Sequence, residues 1–142
     1  HLPSEYRAVR FRCDERDVPP EFRIITAWNP GGEKTEVAAN LVADEHLRSE
    51  ITRLRLESFP VTGGNPEFSH SEPGYGIVCN RAEGVLLARR FRQAAFYEVL
   101  GGRVYLVSVN EGHLPGDPVG RWRDLVERDE RPHGQVFEVR GS

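Results

Sequence analysis

The chain has 142 residues, a length typical of one domain, and its 38% hydrophobic and 29% charged residues exclude an intrinsically disordered chain. Its 19 Lys and Arg against 22 Asp and Glu give a net charge of -3, which argues against nucleic-acid binding, because that needs a basic surface. The two cysteines do not have the spacing of a metal site, which predicts free thiols without a metal or a disulfide. The sequence also has no apolar run near ~20 residues and no signal-peptide pattern, so we expect a cytoplasmic protein without a membrane span.

The first part of the chain predicts an arm, a strand and a helix. Residues 1–20 are polar and contain three prolines, which indicates an N-terminal arm with one short strand over 6–11. The β-branched and aromatic run at 22–28 predicts a central strand that ends at the turn sequence Asn-Pro-Gly-Gly. A helix is predicted over 35–56 with Thr35 as its N-cap, because apolar residues recur three or four positions apart.

The second part predicts further strands and one more helix. Residues 59–62 indicate an edge strand, because Pro60 cannot donate to a neighbouring strand. After a polar loop that begins at Gly63, a strand is predicted over 72–79 and a helix over 81–93. Asn80 and Glu83 have the spacing of a capping box at the start of that helix. A hairpin over 95–109 turns at two glycines, and a short helix is predicted over 122–128.

This order predicts an α+β fold of the split βαβ or ferredoxin-like kind, with an antiparallel or mixed sheet and two helices on one face. The predicted boundaries are an arm at 1–20, a domain at 21–109 and a C-terminal extension at 110–142 that packs on the domain. Apolar residues at periodic positions are expected to share one core. They are Ile24, Ile25, Leu41, Ile51, Leu54, Ile77, Leu86, Phe91, Leu106 and Val107.

Three stretches carry polar residues suited to a ligand. The turn at 29–35 lacks the Walker pattern, since Glu33 stands where that motif needs Gly, so it is either an anion site before a helix or a plain turn. In a strand His70 and Glu72 would face the same side and share a proton, or else belong to a solvated loop. Arg90 and Gln93 could recognise a carboxylate, phosphate or amide, or the arginines near them could stabilise the helix dipole.

The same residues resemble a known family. The matching pieces are Ile-Thr-Ala-Trp-Asn-Pro at 25–30, Asn40, Gly64-x-Pro66, Glu72-Pro73 and the helix end Ala-Arg-Arg-Phe-Arg-Gln-Ala-Ala at 88–95. Over about 22–109 they resemble the bacterial domain of unknown function family 3293. That family usually has Gly between the Phe and the Gln, where this chain has Arg92. The resemblance implies a domain and a set of suspect residues, but no reaction.

We therefore expect a small domain that binds a polar or anionic small molecule such as a nucleotide, without a cofactor or metal. Catalysis on that molecule is an extension of the same expectation. The candidate ligand-binding residues are Asn29, Asn40, Arg90 and Gln93, and the candidate catalytic residue is Glu72. Asn29, Glu72 and Gln93 are expected to converge. The alternative is a protein-interaction module without catalysis that uses an edge strand and Trp28 or Trp122 as anchors. Whether the chain is an enzyme, and its oligomeric state, are left open.

Overall fold

The computed structural model describes residues 2–128, which form one sheet of eight strands and three α-helices. The strands are β1 (Arg10–Arg12), β2 (Glu21–Ile25), β3 (Ser58–Gly64), β4 (Ser71–Ile77), β5 (Ala95–Leu100), β6 (Arg103–Ser108), β7 (Asp117–Arg121) and β8 (Val126–Glu127). The helices are α1 (Val37–Arg53), α2 (Arg81–Arg90) and α3 (Trp122–Leu125). Short 3-10 segments lie at Ser4–Arg7, Pro30–Gly32 and Val109–Glu111.

The sheet curls into a half-barrel. Its order is β7-β6-β5-β2-β4-β3-β1-β8, and described neighbours are antiparallel except for the parallel pair β1 and β8. The two outermost strands, β7 and β8, are joined along the chain by the 4 residues of α3. So short a connection between opposite edges requires the sheet to bend until those edges approach each other.

Each face of the curled sheet has its own hydrophobic core. The helix-side core lies between the sheet and helices α1 and α2; its largest members include Ile25, Leu47, Ile51, Ile77, Leu87 and Phe96. The barrel-side core fills the inside of the curl; its largest members include Phe11, Phe22, Phe59, Val61 and Trp122. In the barrel-side core, Trp122 packs against the rings of Phe11 and Phe22 at centroid distances of 5.4 Å.

The ferredoxin-like expectation is wrong, although the fold class is α+β. Helices α1 and α2 do lie on one face, and the central strands stand in the order β5-β2-β4-β3. Strands β1, β6, β7 and β8 extend this sheet on both sides and curl it over a second core. A two-layer split βαβ fold has no such core, because its second sheet face meets solvent. Arg10–Arg12, within the proposed arm, belongs to the sheet, and 129–142 of the proposed extension lies outside the described residues.

The prediction of one shared core is wrong, because Ile24 belongs to the barrel-side core while Ile25, Ile51, Ile77 and Val107 belong to the helix-side core, and three predicted leucines are exposed. Leu41, Leu54 and Leu86 are 57%, 42% and 65% exposed, and Phe91 is half-buried, whereas the six other predicted members are buried. Helix α1 instead buries Asn40, Leu47, Glu50 and Ile51. Successive helical residues point about 100° apart around the helix axis. Because Asn40 rather than Leu41 faces the core, the Leu41 side chain points to solvent.

Two further predictions are wrong, namely the N-cap of α1 and the edge position of β3. Helix α1 starts at Val37 with Glu36 as its N-cap, so Thr35 is not the cap. Strand β3 is not an edge strand, because it lies between β4 and β1. Pro60 is nevertheless tolerated, since β1 pairs only with Thr62, Gly63 and Gly64 and leaves the Pro60 end of β3 without a partner on that side.

Helices α1 and α2 end in the same motif, with an arginine in an unusual backbone conformation. The N–H of Leu56 donates to the carbonyl of Ile51 (3.1 Å), and the N–H of Gln93 donates to the carbonyl of Ala88 (2.8 Å). These are Schellman bonds, which require a left-handed residue just past the helix. Arg55 (φ 59°) and Arg92 (φ 60°) occupy those positions, where Gly is usual.

Candidate functional site

The turn between β2 and α1 is held by hydrogen bonds among the predicted site residues. Asn29 Oδ1 accepts from the Thr35 N–H (2.9 Å) and from Asn40 Nδ2 (3.0 Å), while Asn40 Oδ1 accepts from the Asn29 N–H (2.9 Å). Asn29 Nδ2 donates to Glu72 Oε2 at 2.7 Å. The structure therefore brings Asn29, Asn40 and Glu72 together, and these contacts fix the shape of the turn. Their role as ligand contacts stays a prediction.

The end of α2 is fastened to the same turn. Gln93 Nε2 donates to the carbonyl of Trp28 at 3.1 Å, and the Gly31 N–H donates to the carbonyl of Arg92 at 2.7 Å. Gln93 thus contacts the residue next to Asn29, close to the convergence expected of Asn29, Glu72 and Gln93. The turn and the helix end form one connected unit.

The glycines of the turn have no N–H groups left for an anion. The Gly31 N–H is used by Arg92, and the Gly32 N–H donates to the carbonyl of Asn29 at 2.9 Å. Helix α1 starts only at Val37, so its N-terminus does not open directly from the glycines. Of the two interpretations of this stretch, the geometry favours the plain turn.

A groove of about 560 Å³ lies beside the turn, between α1 and the end of α2. We call it the arginine groove. Its apolar lining consists of Ala27, Pro30, Ala43 and Phe91, its charged lining consists of Glu50, Arg53, Arg90 and Arg92, and its other lining residues are His46 and Ser49. Arg90 is the one ligand-binding candidate from the sequence that lines this groove. Guanidinium groups around an apolar floor suit a ligand with an anionic end and an apolar body.

Glu50 is the acidic residue among these lining residues. Its side chain is 10% exposed and accepts hydrogen bonds from Arg53 Nε (3.1 Å) and Nη2 (2.5 Å), while Arg90 Nη1 lies 3.5 Å away. The hydrogen bond from Arg53 lowers the pKa of Glu50, because it outweighs the effect of desolvation. The Arg53 and Arg90 side chains remain 66% and 62% exposed. Among the described residues, none accepts a hydrogen bond from the Arg92 guanidinium. The groove is therefore positively charged and retains N–H donors.

Arg53 and Glu50 were not among the site residues expected from the sequence, and Arg92 was noted there only as a departure from the family's usual Gly. A signal was available for Glu50 and Arg53, which lie three apart on one face of α1. Arg92 follows the last turn of α2, where the chain must leave the helix, and its neighbour Arg90 was already a candidate. Had the ends of α1 and α2 been expected to lie side by side, Glu50 and Arg53 would have been grouped with Arg90 and Arg92.

Glu72 has a second polar neighbour in His70. His70 Nε2 lies 3.8 Å from Glu72 Oε2, too far for a good hydrogen bond, and the His70 side chain is 68% exposed. The two residues face the same side, as their alternation predicted. Within residues 2–128, no group of three or more His, Cys, Asp or Glu residues is arranged to hold a metal ion.

A second charged cluster lies under α2 and is structural. Glu98, which is 1% exposed, accepts hydrogen bonds from Arg23 and Arg81, and Arg81 also donates to the carbonyls of Gly112 and Leu114. Burial raises the pKa of Glu98, but the hydrogen bonds from Arg81 and Arg23 lower it by more than burial raises it. The net shift of the pKa is therefore downward. This cluster joins β2, β5 and the start of α2.

The comparisons with known proteins identify a family. Residues 25–96, about half of the chain, match the family model described as protein of unknown function (DUF3293), which confirms the resemblance found in the sequence. The matched region contains the turn and the residues that line the arginine groove. No curated protein and no solved structure matches the chain. In the part of the chain that the structure describes, none of the helices has the length and hydrophobicity to cross a membrane.

Proposed function

We propose that this chain, which belongs to the DUF3293 family of proteins of unknown function, binds a small anionic molecule such as a nucleotide in the arginine groove. The observation that carries the proposal is three guanidinium groups, from Arg53, Arg90 and Arg92, around an apolar floor. A volume of about 560 Å³ falls within the usual range for small-molecule pockets. Arginine forks bind phosphate and carboxylate groups through paired hydrogen bonds.

The surroundings of the groove support binding because they hold its parts in place. The Gly31–Arg92 and Gln93–Trp28 hydrogen bonds fasten the turn to the end of α2. A site that is ordered before the ligand arrives loses less conformational entropy on binding. In this proposal, four of the candidate residues from the sequence shape the groove, and Arg90 contacts the ligand.

Catalysis by Glu72 is a separate extension of the proposal. Its Oε2 accepts a hydrogen bond from Asn29, and its side chain is 27% exposed. Glu72 does not line the arginine groove, so this extension requires a substrate that reaches beyond the groove. Glu72→Gln keeps the shape and removes the base. A variant that binds the ligand normally but no longer turns it over would support acid–base catalysis, and unchanged turnover would contradict it.

Calorimetry with a panel of anions tests binding: inorganic phosphate, adenosine monophosphate, succinate and citrate. We expect one anion to bind, and Arg53→Gln and Arg90→Gln each to weaken it about tenfold, as loss of a charged hydrogen bond does. The matched controls are Arg48→Gln, on the solvent side of α1, and Arg89→Gln, next to Arg90 but directed to the Val109 carbonyl. Equal weakening in controls and groove variants would contradict the proposal.

A protein-interaction module without catalysis is the second candidate, and one observation favours it. On the first turns of α1, Val37, Leu41 and Val42 are 62%, 57% and 57% exposed. Such exposed apolar residues mark many protein interfaces. Of the tryptophans expected as anchors, Trp122 is buried in the barrel-side core and Trp28 is half-buried, so this face of α1 offers more exposed apolar surface than either. Light scattering of wild type and Leu41→Glu tests self-association: a dimer that the variant abolishes supports this candidate, and a monomer contradicts it for a second copy of the chain.

We propose the cytoplasm as the compartment. Cys13 and Cys79 are both free and buried in different cores, as is usual for proteins of reducing compartments. Fractionation of cells that express the full-length protein tests this. Bacterial origin and the absence of nucleic-acid binding stay predictions.

A further inference from the structure

The Glu50–Arg53 ion pair differs in burial from a second ion pair with the same spacing on α1. Glu45 and Arg48 are also three residues apart on α1, but their side chains are 58% and 62% exposed and lie outside the groove lining. Glu50 is buried to 10% exposure, takes Arg53 in a fork and also lies within reach of Arg90. A ligand anion that approaches Arg53 and Arg90 therefore meets a carboxylate that already uses part of their hydrogen-bonding capacity.

Donors remain for such a ligand. A guanidinium has five N–H bonds, and Glu50 engages two of those on Arg53. Arg92 adds a guanidinium that no described residue engages. With three guanidinium groups and one carboxylate among the lining residues, the potential in the groove is positive. The attraction of an anion in a given potential grows with its charge, so an anion of charge −2 gains about twice as much as one of charge −1.

The apolar part of the groove lining favours an apolar body on that anion. Ala27, Pro30, Ala43 and Phe91 offer aliphatic and aromatic surface beside the guanidinium groups. A ring that lies against Phe91 would bury apolar area, while its charged end reaches the arginines. A phosphomonoester combines these properties, because above its second pKa of about 6 its phosphate is doubly charged.

Building on the proposed function, we infer that the groove takes a phosphomonoester on an apolar or aromatic body, and that Glu50 is the internal counterion with which this ligand competes for Arg53 and Arg90. Glu50 thereby sets the affinity of the groove and limits its preference for doubly charged ligands. Without Glu50 the potential rises, and the dianion should gain more than a monoanion.

Two esters of nearly the same shape test the ligand class. At pH 8 phenyl phosphate carries two negative charges, and phenyl sulfate carries one. In calorimetry with the wild-type chain, we expect phenyl phosphate to bind at least about tenfold more tightly than phenyl sulfate, the ratio that one charged hydrogen bond supplies. Inorganic phosphate, which lacks the apolar body, should bind more weakly than phenyl phosphate. This comparison uses the wild-type chain alone, so it does not depend on the folding of any variant.

Glu50→Gln tests the counterion, with Glu45→Gln as the matched control. We expect Glu50→Gln to tighten phenyl phosphate by a larger factor than phenyl sulfate, and Glu45→Gln to change both less than twofold. If Glu50 only positioned Arg53, its loss would weaken both esters by the same factor, and that result would overturn the inference.

Failures of the two proposals can be told apart. Equal affinity of the two esters, together with weaker binding in Arg53→Gln, would refute the phosphomonoester inference and leave the proposed function standing. Binding of another anion in the panel but of neither ester would have the same meaning. If no anion bound in a way that depends on the groove arginines, both proposals would be overturned.

Discussion

Replacing Arg92 by glycine should stabilise the fold and weaken the proposed binding. Arg92 has a φ of 60°, in the left-handed region, which costs a residue with a Cβ about 1–2 kcal/mol. Glycine removes that cost but has more freedom in the unfolded chain, which offsets about 0.5–1 kcal/mol. The backbone bonds of Gln93 to Ala88 and of Gly31 to Arg92 need no side chain and should remain. We expect Arg92→Gly to raise the free energy of unfolding by about 0.5–1 kcal/mol.

The same change removes one guanidinium from the arginine groove. Binding of an anion should therefore weaken by about tenfold, the factor expected for loss of a charged hydrogen bond. Stability and affinity would then move in opposite directions after a single substitution. Residues kept for binding rather than for stability commonly show this combination.

Arg55→Gly separates the two effects. Arg55 has a φ of 59° in the same motif at the end of α1, is exposed, and does not line the arginine groove. It should give a similar gain in stability without a change in binding. Urea unfolding followed by circular dichroism gives the stability of each variant, and calorimetry gives the affinity. Lower stability in both glycine variants would refute the strain argument, and equal loss of affinity in both would refute the role of the groove.

Three further predictions concern the cores and the buried charges. Glu98→Gln should cost about 1–3 kcal/mol in chemical unfolding, because the buried Arg23 and the partly exposed Arg81 lose the carboxylate they share, although Arg23 keeps its ion pair with Glu21. Since the pKa of Glu98 is lowered in the fold, wild type should lose stability as the pH falls from the usual glutamate range, and Glu98→Gln should lose less in the same acid titration. Leu47→Ala should cost about 2–5 kcal/mol by urea unfolding, whereas the exposed Leu41→Ala should stay within about 0.5 kcal/mol; similar values would contradict the assigned helix face. Burial raises the pKa of Cys79 to about 11, so its thiol should resist Ellman's reagent at pH 8 until denaturant is added, and rapid labelling of the native chain would refute this.

Local signals in the sequence predicted the elements that depend on local contacts. The capping box is confirmed, since the Asn80 side chain accepts from the Glu83 N–H and Glu83 accepts from the Asn80 N–H. The hairpin is confirmed too, with positive φ at Gly101 and Gly102. Both features involve residues close in the chain, so their chemistry is visible in a short window of sequence.

The curled sheet depends on partners that are distant in the chain. Strand β1 has 3 residues and β8 has 2, and both are ordered by pairing with each other and, for β1, with β3. Segments this short carry no clear alternation of apolar and polar residues. The short strand expected over 6–11 overlaps β1 but was assigned to the arm and not to the sheet, and β7 and β8 were not predicted. The predicted sheet therefore had no reason to curl. The barrel-side core, and with it the burial of Trp122, was therefore missed.

The candidate site illustrates a different limit. Polar residues in a turn attract notice in a sequence, but a buried turn must first satisfy its own N–H and carbonyl groups. Asn29, Asn40 and Gln93 hydrogen-bond within the turn or to its backbone, as this requirement demands. The charged groups that face the groove stand on helix surfaces, where arginine is common and carries no special signal.

A left-handed arginine is not by itself a mark of function, because Arg55 and Arg92 share the same backbone conformation and the same helix-ending bond. What distinguishes them is their surroundings. Around Arg92, a second helix brings Arg53 beside Arg90, and a backbone hydrogen bond from Gly31 fixes the position of Arg92 against the turn. Arg55 has no place in that groove. The proposed site therefore depends on the convergence of two helices that are far apart in the chain. Arg92→Gly and Arg55→Gly relieve the same backbone strain, so the difference between their affinities for the anion measures the effect of that convergence on binding.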